Sequence, residues 1–115
     1  MATHATKQLR YLEVAAVLRG KEIVIGRSDY SSILIPHPSV SRLHATITLR
    51  ESQSFIQDLG SRNGTYVNGK RIDETPVPIH IGDLIRIGSV DCLVESTVDN
   101  ARETTDEFFS ADDST

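Results

Sequence analysis

The sequence has 115 residues, a single cysteine at Cys92 and no long hydrophobic run. A membrane helix needs about 20 apolar residues in succession, and Glu13 interrupts the apolar stretch nearest the N-terminus. We therefore expect neither a membrane segment nor a secretion signal. One cysteine forms no internal disulfide, and we expect a reducing, cytoplasmic environment. A chain of this length suits one domain with one core.

The chain also lacks an excess of basic residues. It contains 12 Lys and Arg against 16 Asp and Glu, so its net charge is 12 − 16 = −4. Residues 9–98 carry ten of each sign, whereas residues 99–115 carry six acids and one Arg. Nucleic-acid affinity depends on many basic contacts, so we expect no nucleic-acid partner. The counts predict a disordered N-terminus (1–8), a domain (9–98) and a disordered acidic tail (99–115).

Short apolar runs separated by turn residues predict an all-β fold. Alternation places Ala45, Ile47 and Leu49 on one face of a strand, and it groups Val90 with Cys92 and Val94 on another. The sequence Asn68-Gly69 between two β-forming runs predicts a type I′ hairpin turn. The pattern without intervening helices indicates a sandwich or small barrel.

The N-terminal run and the prolines complete the strand prediction. We interpret Leu9 to Leu18 as one strand rather than a helix, followed by a tight turn at Arg19-Gly20 into the next strand. The four prolines are predicted to lie between strands, where a missing backbone donor costs no ladder hydrogen bond. These prolines are Pro36, Pro38, Pro76 and Pro78.

Three polar clusters fall in the predicted loops. Arg27 follows one strand, Ser41 and Arg42 precede another, and residues 61–63 (Ser-Arg-Asn) lie between two more. Loops gather at the ends of an antiparallel sandwich, so these clusters can converge. Guanidinium forks, hydroxyls and exposed backbone N–H groups together suit an oxyanion such as phosphate. No Lys-Ser/Thr ending of a nucleotide-binding P-loop is present, which favours holding a phosphate over transferring it.

Four ordered blocks of the sequence resemble the forkhead-associated (FHA) domain, a phosphothreonine-binding module. They are "GR" at 26–27, "VSRLHATI" at 40–47, "DLGSRNGTYVNGKRI" at 58–72 and "GDLIRIG" at 82–88. The resemblance implies a β-sandwich of about eleven strands in two twisted sheets, with the binding loops at one end. It also implies a non-enzymatic reader of phosphothreonine in partner proteins, acting downstream of a Ser/Thr protein kinase. We expect no cofactor, and the four histidines and one cysteine lack the spacing of a metal site.

The resemblance also assigns roles to residues. Arg27 would pair with the phosphate, the Ser41 hydroxyl would bind it, and Asn63 would bind the ligand backbone. His44 would brace the binding loops, and Asn68 would be a second ligand-backbone or loop-bracing asparagine. The remaining candidates are Arg42, Ser61 and Arg62 at the phosphate and its flank, with Gly26 and Gly64 in the loops. Ser32 and His37 depart from the family, which often has Asp at both positions; His37 would make the rim of the site pH-sensitive.

Two other functions are compatible with parts of the sequence. Ser41, His44 and Asp58 invite comparison with a hydrolase triad, but no nucleophile elbow accompanies them. The tail offers the alternative function, because Thr104 and Thr105 lie in a predicted kinase-accessible segment. Their phosphorylation would create a ligand for the chain's own kind of site. We expect a monomer unless this tail is phosphorylated.

Overall fold

The computed structural model describes residues 6–12 and 14–97. Predictions for the acidic tail, including Thr104 and Thr105, lie outside the described residues, as do those for residues 1–5. The described chain forms eleven strands and no helix that could cross a membrane. The strands are β1 (Lys7–Tyr11), β2 (Val14–Val17), β3 (Glu22–Gly26), β4 (Ile33–Leu34), β5 (Ala45–Arg50), β6 (Gln53–Asp58), β7 (Thr65–Val67), β8 (Lys70–Ile72), β9 (Val77–Ile79), β10 (Leu84–Ile87) and β11 (Val90–Ser96).

The strands form two sheets, which confirms the predicted all-β sandwich. One sheet has six strands in the order β2-β1-β11-β10-β7-β8, and the other has five in the order β4-β3-β5-β6-β9. Neighbouring strands are antiparallel except for β3 and β4, which pair in parallel. β4 follows β3 through a short loop and lies at the edge of its sheet.

The core lies between the sheets, on the faces that the alternation predicted. Val90, Cys92 and Val94 of β11 are buried, while the residues between them are exposed. Ala45 and Ile47 of β5 are fully buried, and Leu49 packs against the core edge. Burial raises the pKa of the Cys92 thiol to about 12, with a smaller contribution from the charge of Asp91. Cys92 is therefore a small core residue rather than a reactive thiol.

The N-terminal run differs from its prediction, because it contains two strands instead of one. β1 and β2 pair as an antiparallel hairpin, and Leu12 at the bend has a positive φ of 52°. The following turn at Arg19-Gly20 carries the chain from the six-stranded sheet to the five-stranded sheet. The hairpin was missed because Leu12 is not a typical turn residue, so nothing in the local composition marks the bend.

Proline placement was also wrong at one position. Pro78 lies within β9 and pairs with Phe55 of β6. β9 is an edge strand, and an edge strand tolerates proline because its outer side needs no backbone donor. The Asn68-Gly69 turn, in contrast, is confirmed: both residues have positive φ, at 51° and 86°, and Val67 pairs with Lys70 across the turn.

The two ends of the sandwich differ in what they carry. We call one the loop end; it contains residues 27–28, 39–44, 60–64 and 88–89. We call the other the termini end; it contains residues 6–7, 18–21, 51–52, 80–83 and 96–97. Thr97 donates its N–H to the Thr6 carbonyl at 2.8 Å, so the described chain begins and finishes at the end opposite the polar clusters.

Candidate functional site

Arg27 is held beside the loop that contains Ser41 and Arg42. Its N–H donates to the Ser41 carbonyl at 2.9 Å, and the next N–H along, from Ser28, donates to the Arg42 carbonyl at 3.1 Å. Gly26 makes this approach possible, because a Cβ at that position would lie 2.0 Å from the Arg42 carbonyl oxygen. Gly26 is therefore required by close contact between two loops.

The Arg27 side chain is fixed at one nitrogen and exposed at the others. Its Nε donates to the Val40 carbonyl at 2.9 Å, and this is its one side-chain hydrogen bond to the described residues. The terminal guanidinium nitrogens remain available to a ligand. A guanidinium oriented in this way loses less conformational entropy when it binds an anion.

Ser41, Arg42 and Arg62 complete the basic surface of the loop end. The Ser41 hydroxyl oxygen accepts the Arg62 N–H at 3.0 Å, which leaves the hydroxyl proton free to be donated. Arg42 and Arg62 are exposed. Within the described ranges, none of the three loop-end arginines forms an ion pair with a carboxylate. Three guanidinium groups and one hydroxyl donor thus lie on adjacent loops.

His44 is fully buried and bridges two of these loops. Its Nδ1 accepts the Ser41 N–H at 3.0 Å, so its Nε2 carries the proton and donates to the Gly64 carbonyl at 2.8 Å. Burial lowers the pKa of His44, while the Gly64 carbonyl and the Asp58 charge act in the opposite direction. The neutral ring is the form that this bridge requires, and the geometry matches the predicted bracing role.

Asp58 organises the loop from Gly60 to Gly64, a role that the sequence analysis did not assign. Its carboxylate accepts the N–H groups of Gly60 and Ser61, both at 2.9 Å, and the hydroxyls of Ser61 and Thr65. Burial would raise the pKa of Asp58, but these hydrogen bonds outweigh it and hold the pKa below its ordinary value. An aspartate with Gly and Ser two and three residues later is a recognisable turn signal, so the sequence did indicate this role.

The Ser61 hydroxyl is engaged within its own loop. It donates to Asp58 and accepts the Gly64 N–H at 3.0 Å. A hydroxyl has one proton to donate, and here the carboxylate receives it. Ser61 therefore braces the loop in this structure, and its predicted contact with phosphate stays a prediction that would require its hydroxyl to turn away from Asp58.

Asn63 is oriented by a residue that the sequence analysis passed over. Its Nδ2 donates to the Ser39 carbonyl at 2.8 Å, so its amide lies against the segment that precedes Ser41. Gly64 follows with a φ of 91°, which turns the chain into β7. Asn63 thus reaches the loop end beside Arg27 and Ser41.

Among the predicted site residues that the structure describes, Asn68 is the one that lies apart from the others. It lies beyond the far end of β7, where its Nδ2 donates to Asp83 at 3.1 Å and its Oδ1 accepts the Leu84 N–H at 2.9 Å. The three residues of β7 span about 10 Å. Of its two predicted roles, the geometry matches loop bracing.

The hydrolase interpretation is not supported by the hydrogen bonds of His44. A triad requires a histidine nitrogen to accept the serine hydroxyl proton and the other nitrogen to donate to the acid. Here both ring nitrogens bond to backbone groups, and Asp58 bonds to Ser61 and Thr65 instead. The arrangement can bind an oxyanion, but it does not form this catalytic relay.

Comparisons with known proteins agree with the fold and the motifs. The family profile for the FHA domain matches residues 23–88. An ABC transporter ATP-binding/permease protein of Mycobacterium tuberculosis, Rv1747, is 37% identical over 93 residues, which cover 81% of this chain and 10% of that protein. The FHA domain-containing protein FhaB of the same species is 34% identical over 90 residues, which cover 74% of this chain and 57% of that protein.

This chain therefore spans little more than half of FhaB and a small part of Rv1747. A solved structure from work on phosphothreonine-dependent FHA domain interactions has a TM-score of 0.74 and 28% identity, covering 78% of this chain and 95% of that one. The profile match includes all three loop clusters and the strands that carry them. The chain belongs to the FHA-domain family.

Proposed function

We propose that this chain is a non-catalytic module that binds phosphothreonine in partner proteins. The observation that carries the proposal is the Arg27 guanidinium, anchored through Nε to the Val40 carbonyl with its terminal nitrogens available. A guanidinium presents donors in a planar fork that matches two phosphate oxygens. The likeness to a domain studied for phosphothreonine-dependent interactions supports the same ligand class.

Each loop contributes a distinct contact in this proposal. Arg27 pairs with two phosphate oxygens, and the Ser41 hydroxyl donates to a third. Arg42 adds positive charge beside them, while Arg62 contacts the phosphate or the residues that flank it. Asn63 hydrogen-bonds the ligand backbone with the amide positions that Ser39 leaves unoccupied. A protein ligand of this kind requires a Ser/Thr kinase upstream.

The experiment is a titration with three peptides of one sequence that carry phosphothreonine, phosphoserine or unmodified threonine. We expect no measurable binding of the unmodified peptide, because the Arg27 contact needs the phosphate. The threonine methyl group should distinguish the two phosphopeptides by about 1–3 kcal/mol. Equal affinity for all three peptides would end the proposal, and cleavage of any peptide would indicate an enzyme instead.

A second candidate function is self-association through the chain's own phosphorylated tail. The observation that favours it is the position of Thr97 at the termini end, immediately before the segment that contains Thr104 and Thr105. Eight residues span at most about 28 Å, and β11 alone is seven residues long, or about 24 Å at the usual rise. A phosphorylated tail therefore reaches a neighbouring molecule more readily than its own loop end.

The test of self-association is the mass of the phosphorylated protein in solution across concentration. Contact between the tail of one molecule and the loop end of the next is heterologous, so it gives dimers or longer chains. We expect mass to rise with concentration and the Arg27→Ala variant to remain monomeric. A monomer at every concentration that still binds added phosphopeptide would rule out the tail as a ligand.

A further inference from the structure

The segment from His37 to Ser41 orients two of the proposed ligand-binding side chains, Arg27 and Asn63. The Ser39 carbonyl accepts Asn63 Nδ2 at 2.8 Å, and the Val40 carbonyl accepts Arg27 Nε at 2.9 Å. Both anchors are backbone atoms. The directions of the Arg27 guanidinium and the Asn63 amide therefore depend on the conformation of this segment.

His37 fixes that conformation through its ring. The Val40 N–H donates to the His37 carbonyl at 2.9 Å and closes a turn. Within the turn, His37 Nδ1 accepts the Ser39 N–H at 3.1 Å and lies 2.8 Å from the Ser39 hydroxyl. A backbone N–H only donates, so Nδ1 is the unprotonated nitrogen of a neutral ring.

Ser39 transmits this contact to a third part of the chain. Its hydroxyl oxygen accepts the N–H and the hydroxyl of Ser89, both at 2.9 Å, so its own proton is directed to His37. A Cβ on Gly88 would lie 2.5 Å from the Ser39 carbonyl oxygen, which shows how closely the β10–β11 turn approaches. The position of Ser39 therefore depends on its contacts with both His37 and Ser89.

We propose that His37 is a positioning residue of the phosphopeptide site and that its protonation weakens binding; this inference rests on the proposed function. An imidazolium has no acceptor, so the Ser39 N–H would lose its partner and the Ser39 hydroxyl could no longer donate to the ring. Histidine is the side chain that ordinarily titrates between pH 5 and 8. Protonation of His37 would therefore remove the brace from this segment, and the Arg27 and Asn63 side chains would lose their fixed directions.

The charge of a protonated His37 would affect phosphopeptide binding in the opposite direction to the lost hydrogen bonds. The neighbouring loops carry the guanidinium groups of Arg27, Arg42 and Arg62 and the carboxylates of Asp29 and Asp58. Within residues 6–12 and 14–97 no carboxylate forms an ion pair with His37. A protonated ring would add one more positive charge near the phosphate and favour binding. Salt screens this attraction, with a Debye length of about 8 Å at physiological ionic strength, whereas the hydrogen bonds to Ser39 are unaffected by salt.

The test compares the wild type with His37→Asp at pH 7.5 and pH 5.5 in salt of at least physiological strength. An aspartate accepts the same N–H and stays ionised at both pH values. The phosphate group titrates near pH 6, but it does so equally for both proteins, so their ratio isolates His37. We expect the wild type to lose about three- to tenfold more affinity than His37→Asp on acidification.

His80→Asn is the matched control, because it removes an exposed histidine at the termini end. The phosphopeptide affinity of His80→Asn should equal that of the wild type at both pH values. A parallel loss of affinity in wild type and His37→Asp, or a stronger binding of wild type at low pH, would overturn the inference and leave the proposed function standing. If His37→Asp does not fold, His37→Asn supplies the same acceptor without a charge.

A second measurement tests the role of His37 without a peptide. In NMR spectra of the free protein, the Ser39 and Ser89 amide signals and the Asn63 side-chain amide should shift together with pH in the wild type. They should not shift together in His37→Asp. If these signals shift independently of one another in the wild type, the inference is wrong. A failure of phosphopeptide binding at pH 7.5 would instead overturn the proposed function.

Discussion

The two ends of the sandwich differ in how far their turns depend on hydrogen bonds from particular side chains. At the termini end, backbone-to-backbone bonds join the ends of neighbouring strands, beside a side-chain bond from Asn68 to Asp83. The Leu49 N–H donates to the Lys21 carbonyl at 2.8 Å, and the Gly82 N–H donates to the Val94 carbonyl at 2.7 Å. These bonds continue the sheet ladders, and they would form with many different side chains in the same places.

At the loop end the decisive contacts run from a side chain to a distant backbone atom. Arg27 bonds to Val40, His44 to Gly64 and Asn63 to Ser39. These bonds add to the backbone bonds from Arg27 to Ser41 and from Ser28 to Arg42, and they orient side-chain donors toward a ligand. Each also depends on one particular side chain. The loop end should therefore be sensitive to single substitutions that the termini end tolerates.

Replacing the central brace of the loop end should give the largest effect on stability. His44→Ala leaves a cavity and removes the partners of the Ser41 N–H and the Gly64 carbonyl, so we expect a loss of about 3 kcal/mol in the free energy of unfolding. His80→Ala, an exposed histidine of the termini end, should change it by less than about 0.5 kcal/mol. Chemical denaturation of both variants measures the difference, and equal effects would contradict the contrast between the ends.

The lowered pKa of His44 gives the same brace a pH dependence. Burial favours the neutral ring in the folded protein, so its contribution to stability is complete above the unfolded-state pKa of about 6.5 and declines as pH falls below it. Wild type should therefore lose more unfolding free energy than His44→Ala between pH 7 and pH 5. Identical slopes would show that the ring does not titrate differently on folding.

Removing the Arg27 side chain should weaken phosphopeptide binding without destabilising the fold. The Arg27 side chain is exposed, so Arg27→Ala should leave the unfolding free energy nearly unchanged while it costs about 1.5–3 kcal/mol of phosphopeptide binding. Arg27→Lys should restore only part of the affinity, because an ammonium lacks the two-pronged fork. Calorimetric titration beside a thermal melt measures both quantities; unfolding of Arg27→Ala with unchanged affinity per folded molecule would make Arg27 structural.

An acid titration tests the second brace of the loop end. The pKa of Asp58 is held below its ordinary value by four hydrogen bonds despite burial, so its stabilisation is present above the unfolded-state pKa of about 4. It is lost as pH falls further, through the folded-state pKa. Asp58→Asn should cost about 1–2 kcal/mol at pH 7 and lose less stability than wild type below pH 4. Equal losses in the two proteins would contradict this assignment.

The sequence predicted the elements that follow from local pattern and motif. The alternation in β5 and β11 and the Asn68-Gly69 turn depend on residue type at short spacing. The convergence of the three loop clusters follows from the sandwich that these patterns indicate, and the structure agrees with all three. The β1–β2 hairpin at Leu12 and the proline in β9 were missed because they depend on sheet edges and on contacts between distant residues. No local pattern records which strand lies at an edge.

The same distinction applies within the site. Arg27, Ser41 and His44 stand in motif positions, so the sequence could assign them. Ser39 could not be assigned, because its importance comes from Asn63 and Ser89, which lie 24 and 50 residues away. Every residue has a backbone carbonyl. The residue type at position 39 therefore does not indicate that its carbonyl accepts a hydrogen bond from a distant side chain.

The smallest expected effect concerns Asn68, whose two predicted roles the structure separates. Asn68 has a φ of 51° and bonds to Asp83 and Leu84 at the far end of β7. Asn68→Ala should lower the unfolding free energy by about 1 kcal/mol, because alanine is strained at positive φ and lacks the amide. Asn68→Gly relieves the backbone strain and should lose less. Phosphopeptide affinity should be the same for wild type and both variants, because about 10 Å of strand separates this turn from Gly64. Denaturation and peptide titration on the three proteins check the two statements together, and a drop in affinity without a drop in stability would place Asn68 in contact with the ligand.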